Sequence, residues 1–98
     1  MLASLTFGDF SGRVGETFRL EGPPGVLALT LVEATDLARR ENPGPRRSPF
    51  SLVFLGPPTP LLPQGIRALE HASLGRLEIF LVPIGPDPAG LRYEAVFN

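Results

Sequence analysis

The chain has 98 residues, no cysteine and a formal net charge of −1, which bounds it to one domain and excludes disulfides, iron–sulfur clusters and thiolate zinc sites. All nine basic residues are arginine, so lysine Schiff-base chemistry is excluded too, and a near-neutral surface disfavours nucleic acid as a partner. With 43% hydrophobic residues, 11 glycines and 12 prolines, the composition is that of a folded chain made of short elements and many turns.

Residues 1–98 therefore read as a single β-rich domain. No apolar run approaches the ~18 residues that span a bilayer. Asp9 stands where a secretory leader would be apolar. The expectation is a cytoplasmic protein with no membrane partner.

"SLTFGDFSG" places Thr6 three residues before Asp9, a capping-box-like spacing that starts one short helical turn. Leu5, Phe7 and Phe10 then plug one end of a core. "ETFRLEG" alternates, with Phe18 and Leu20 on one face, and predicts a half-buried strand. After "GPPG", the segment "VLALTLVEATDL" sets Leu27, Leu29 and Leu31 on one face of a second strand.

"FSLVFL" predicts a third strand, with Phe50, Leu52 and Phe54 on its inner face. "GIRALEHASLGRLEIFLVPIG" predicts a hairpin that turns between Ala72 and Gly75. Its second arm is apolar at nearly every position after Glu78, as expected for a strand covered on both faces. Pro83 has no N–H for a ladder, so pairing on its side should stop nearby. "GPDPAG" is a turn, and "LRYEAVFN" closes the chain with Leu91, Tyr93, Ala95 and Phe97 alternating. Six strands with short connections predict an all-β, mainly antiparallel fold, either a small barrel or a sandwich, with a short N-terminal helical turn.

Two connections carry candidate interaction surface. "ARRENPGPRR" holds Arg39, Arg40, Arg46 and Arg47 against Glu41, and the guanidinium fork suits carboxylates on an acidic partner protein. No aromatic residue interleaves the arginines, so base stacking is not offered. "FLGPPTPLLPQG" meets a P-x-x-P spacing twice, yet it reads first as a stiff crossover between strands. An extended segment turns one of Leu61 and Leu62 inward and leaves the other for contact.

The segments "VGETFRL", "LTLVEATDL", "RRSPFSLVFLGP", "LLPQGIRALEH", "LGRLEIFLVPIG" and "YEAVFN" resemble a small bacterial domain family of about a hundred residues, a domain of unknown function. The similarity runs from about Leu5 to Asn98. "LPQG", "LEH" and "YEAVFN" are its most specific pieces. The resemblance implies a stand-alone, mostly β domain associated with genes for phage-tail-collar-like proteins. It carries no catalytic residues over.

Catalytic chemistry finds little purchase. His71 is the sole histidine, and beside Glu70 and Ser73 it is the one place where a hydrolytic triad could begin. No G-x-S-x-G elbow accompanies it. One histidine without cysteine does not furnish a transition-metal site, and "GPDPAG" offers calcium a single carboxylate, Asp87. Glu33 with Asp36, and Glu70 with Glu78, read as solvated positions. No phosphate cradle is present, and no cofactor is implied.

The expected function is that of a non-catalytic structural or protein-interaction domain, an accessory of a phage-tail-like assembly, with a protein partner that is either a second copy or a different chain. The alternative is a small-ligand-binding β-barrel. It would need a hollow interior, or a pocket on which Tyr93 and an arginine converge.

Overall fold

The computed structural model describes residues 5–21, 25–37 and 49–97. A single helical turn α1 (Gly8–Ser11) precedes six strands: β1 (Thr17–Leu20), β2 (Leu27–Asp36), β3 (Phe50–Gly56), β4 (Gly65–His71), β5 (Gly75–Asp87) and β6 (Gly90–Phe97). They form a closed barrel in the order β1-β2-β3-β6-β5-β4, every pairing antiparallel. Of the two architectures the pattern allowed, the sheet closes on itself, which leaves none of the described strands at a free sheet edge.

Period-two alternation decides which side chains enter. Phe18 and Leu20, Leu29 and Leu31, Phe50, Leu52 and Phe54, and the β5 residues Leu77, Ile79 and Leu81 are all buried. Each such side chain contributes about 1.5–3 kcal/mol by leaving water. β6 supplies Leu91, Tyr93 and Ala95 to the same core, while Phe97 packs against it half-buried. At six strands the barrel is filled with side chains, as its diameter requires.

The two ends are closed differently. At the first, Asp9 accepts the Thr6 N–H at 2.8 Å and holds the short helix. Phe10 is thereby carried into the barrel mouth, against Phe50 at 5.8 Å, Phe97 at 6.0 Å and Phe18 at 6.3 Å between ring centroids. Leu5 is buried beside it and Phe7 half-buried. The opposite end, where β3 stops and β4 starts, is crossed by the proline segment 57–64, whose Leu62 turns into the core.

One expectation for β5 needs correction, and the other holds on one side of the strand. The strand is covered on its inner face alone, because Phe80 and Ile84 lie about half exposed on the outer wall. An apolar run reports hydrophobicity, not what stands on the far side of the sheet. Pairing near Pro83 does stop toward β4, at Leu81 with Gly65. Toward β6 it continues to Asp87 with Gly90 through a register shift between Pro83 and Gly85, since a bulge lets the ladder pass a residue without an N–H.

Candidate functional site

The densest polar cluster sits where the barrel closes between β1 and β4. That seam has only two register pairs, Arg19 with Glu70 and Leu20 with Leu69. Above them the wall is completed by His71, whose ring lies 4.5 Å from that of Phe18. The Ser73 and Leu74 backbone N–H groups both donate to Nδ1 at 3.1 Å, so Nδ1 carries the lone pair and Nε2 the proton. Nε2–H donates to Glu16 Oε1 at 2.6 Å. Arg13 reaches from the turn after α1 to donate to Ser73 Oγ at 3.1 Å.

A cleft of about 500 Å³ opens over this cluster, lined by Thr17, Arg19, Glu70, His71, Ala72 and Gly75. A carboxylate, an imidazole and a hydroxyl thus lie close together, with Ser73 Oγ 3.3 Å from Nδ1. Their roles do not match nucleophilic catalysis. A general base needs a lone pair directed at the nucleophile's proton, and the Nδ1 lone pair already receives two backbone donors. Glu16 takes the place of Glu70 as the carboxylate on the ring; Glu70 faces Arg76 across the hairpin instead.

The remaining carboxylates are dispersed. Glu78 stands opposite Ala68, not Glu70, and forms an exposed pair with Arg76 at 3.6 Å. Asp87 turns back on its own hairpin: Oδ1 accepts the Ala89 and Gly90 N–H groups at 2.7 and 3.1 Å, and Oδ2 the Arg92 Nε–H at 2.5 Å. The Arg92 guanidinium holds the Asp87 carboxyl below its ordinary value of 3.8, helped by the Ala89 N–H. Among the described residues no three His, Cys, Asp or Glu side chains gather where they could hold a metal ion. No helix among them is long and apolar enough to cross a membrane.

Arg39, Arg40, Arg46 and Arg47 lie outside the described residues. The leucine pair of the crossover splits as an extended segment must: Leu61 is 60% exposed and Leu62 only 5%. Leu62 is therefore a core residue and not interaction surface. Its N–H donates to the Tyr93 hydroxyl at 3.1 Å, and the next carbonyl, Pro63, accepts from Arg67 Nη2. Tyr93 and an arginine do converge, but on the crossover. Strand parity held this in view, because Arg67 shares the inward side of β4 with Leu69 and His71.

The feature that the sequence reading missed lies on the outer wall. Ile66 of β4 and Phe80 of β5 are register partners, and they are 71% and 50% exposed. On β6, Val96 is 53% exposed and lies two residues beyond Glu94, the last β6 residue that pairs with β5. The Ile66–Phe80 pair thus presents an apolar row across two strands, and Val96 adds an exposed apolar side chain on the next. A contiguous row is what distinguishes an interaction patch from scattered surface hydrophobics. Both parities of "LEIFLVPI" are apolar after Glu78, so alternation alone does not single out Phe80.

Neither a curated protein nor a solved structure matches the chain. A family model does, over residues 5–97, which is nearly the whole described barrel with its helical plug. The chain belongs to the family described as Domain of unknown function (DUF6916).

Proposed function

We propose that the chain is a non-catalytic protein-interaction domain, an accessory of a phage-tail-like assembly working in the cytoplasm, and that it meets its protein partner on the outer wall of β4, β5 and β6. The observation that carries this reading is the exposed register pair of Ile66 and Phe80, with Val96 exposed on the adjoining strand β6. Leaving such side chains in water forfeits about 1.5–3 kcal/mol each that a partner surface would recover. The row lies on strands, so its members are held at fixed spacing before any partner arrives.

The first partner to test is a second copy. A formal net charge of −1 sets little electrostatic repulsion between identical chains. Arg39, Arg40, Arg46 and Arg47 add a basic segment suited to acidic groups on a partner. The test is the mass in solution, by size-exclusion chromatography with light scattering over a wide concentration range. A discrete oligomer in the wild type that Phe80→Glu reduces to monomer is the expected result. A wild-type monomer at every concentration would overturn self-assembly through this face. An oligomer indifferent to Phe80→Glu and Ile66→Glu would overturn the assignment of the face.

A further inference from the structure

The crossover 57–64 seals a barrel end with a single fully buried side chain, that of Leu62. Pro58, Thr59, Pro60, Leu61, Pro63 and Gln64 are exposed. Among the described residues two side chains fasten it, Tyr93 to the Leu62 N–H and Arg67 to the Pro63 carbonyl. These act on consecutive residues of the segment, which brings the phenol and the guanidinium to the same stretch of crossover backbone.

Arg67 is not satisfied by this arrangement. Its Nε is buried without a hydrogen-bond partner, and among the described residues no carboxylate pairs with it. A partly buried cation on the inward side of β4, with an orphan donor, is poised for an anion, because an unmet buried donor costs most where its group is charged.

We infer that the barrel end beneath the crossover is a latent site for a small apolar carboxylate. The tail takes the seat that Leu62 now fills, and the carboxylate is received by the Arg67 guanidinium and the Tyr93 hydroxyl. The crossover is the lid: the groups that would bind the ligand are the ones that now fasten the lid, so binding and closure compete. Tyr93 donates its O–H to the anion, as it accepts from Leu62 when the lid is shut. Arg67 supplies the fork that fits two carboxylate oxygens.

The test titrates hexanoate, with hexanol as the uncharged control, into the full chain by calorimetry and by backbone amide shifts. Hexanoate is expected to move the Leu62 amide, and Arg67→Met to weaken it at least about tenfold while leaving hexanol unchanged. Leu62→Ala is expected to tighten hexanoate by enlarging the seat. Equal affinity for hexanoate and hexanol in the wild type would overturn the carboxylate assignment. Absence of hexanoate binding to both the wild type and a folded Leu62→Ala would overturn the site. If Leu62→Ala does not fold, the wild type against Arg67→Met decides alone. Neither readout touches the outer wall, so this inference and the proposed function can fail separately.

Discussion

Glu16 and His71 lie 55 residues apart in the chain and meet at 2.6 Å across the place where the barrel closes. β1 gives β4 only two register pairs, whereas β3 and β6 share seven. The imidazole takes over where that ladder runs out. It packs at a tilt against Phe18, ties down the β4–β5 turn through Nδ1, and reaches Glu16 through Nε2.

His71→Ala is therefore expected to cost about 2 kcal/mol, since it empties a core position and strips two turn N–H groups of their acceptor. For a domain of this size that lowers Tm by roughly 10 °C. Glu16→Gln keeps an acceptor on a half-exposed side chain, and the expected loss is about 0.5 kcal/mol or less. Urea unfolding of the two variants checks the order. A Glu16→Gln loss equal to that of His71→Ala would show that the Glu16 carboxylate, not the ring, holds the seam.

Gly90 is a different kind of constraint. Its φ is 153°, and a Cβ there would strike the Gly56 carbonyl oxygen of β3. The obstruction is backbone, which no rotamer change relieves. Gly90→Ala is expected to cost more than about 3 kcal/mol or to prevent folding. Gly75 is the control: its φ is 75°, but open space surrounds the added carbon, so Gly75→Ala pays the left-handed strain alone, about 1–2 kcal/mol. Paired denaturation curves measure the gap, and equal losses would refute the collision.

The strands were legible because burial imposes period two on residues such as Phe50, Leu52 and Phe54, whatever the topology. Closure was not legible. It rests on β1 meeting β4 and β3 meeting β6, pairings between distant segments that no local pattern encodes. The same reason hides Glu16 from His71. Of the candidate surface, the opposite fates of Leu61 and Leu62 followed from the geometry of an extended chain. The Ile66–Phe80 row required knowing which face of β5 was uncovered, and that is a property of the assembled wall.

Tyr93→Phe isolates the fastening of the crossover. It keeps the ring in the core and removes the acceptor of the Leu62 N–H. The expected cost is about 1–2 kcal/mol globally. Locally, the Leu62 amide should exchange with deuterium faster than the amides of Phe54 or Ala95 by more than the global loss explains. Uniform acceleration across all three amides would mean that the crossover opens only when the whole barrel does.

Asp87 makes the molecule acid-sensitive at one hairpin. Its carboxyl is held below 3.8, first by the hydrogen bond from Arg92, then by that from Ala89, while the unfolded chain takes up the proton at the ordinary value. A group with a depressed folded value contributes its stability above that ordinary value, and the contribution is lost as pH falls through the folded one. The Asp87 contribution should thus be intact at pH 5 and above and decline below about pH 4. Arg92 stays charged throughout and adds no pH dependence of its own in this range. Asp87→Asn keeps Oδ1 as an acceptor for the turn and loses the charge, so its Tm should fall less steeply between about pH 4 and pH 2 than that of the wild type. Parallel Tm profiles for the two proteins across that window would mean that other carboxylates set the acid response.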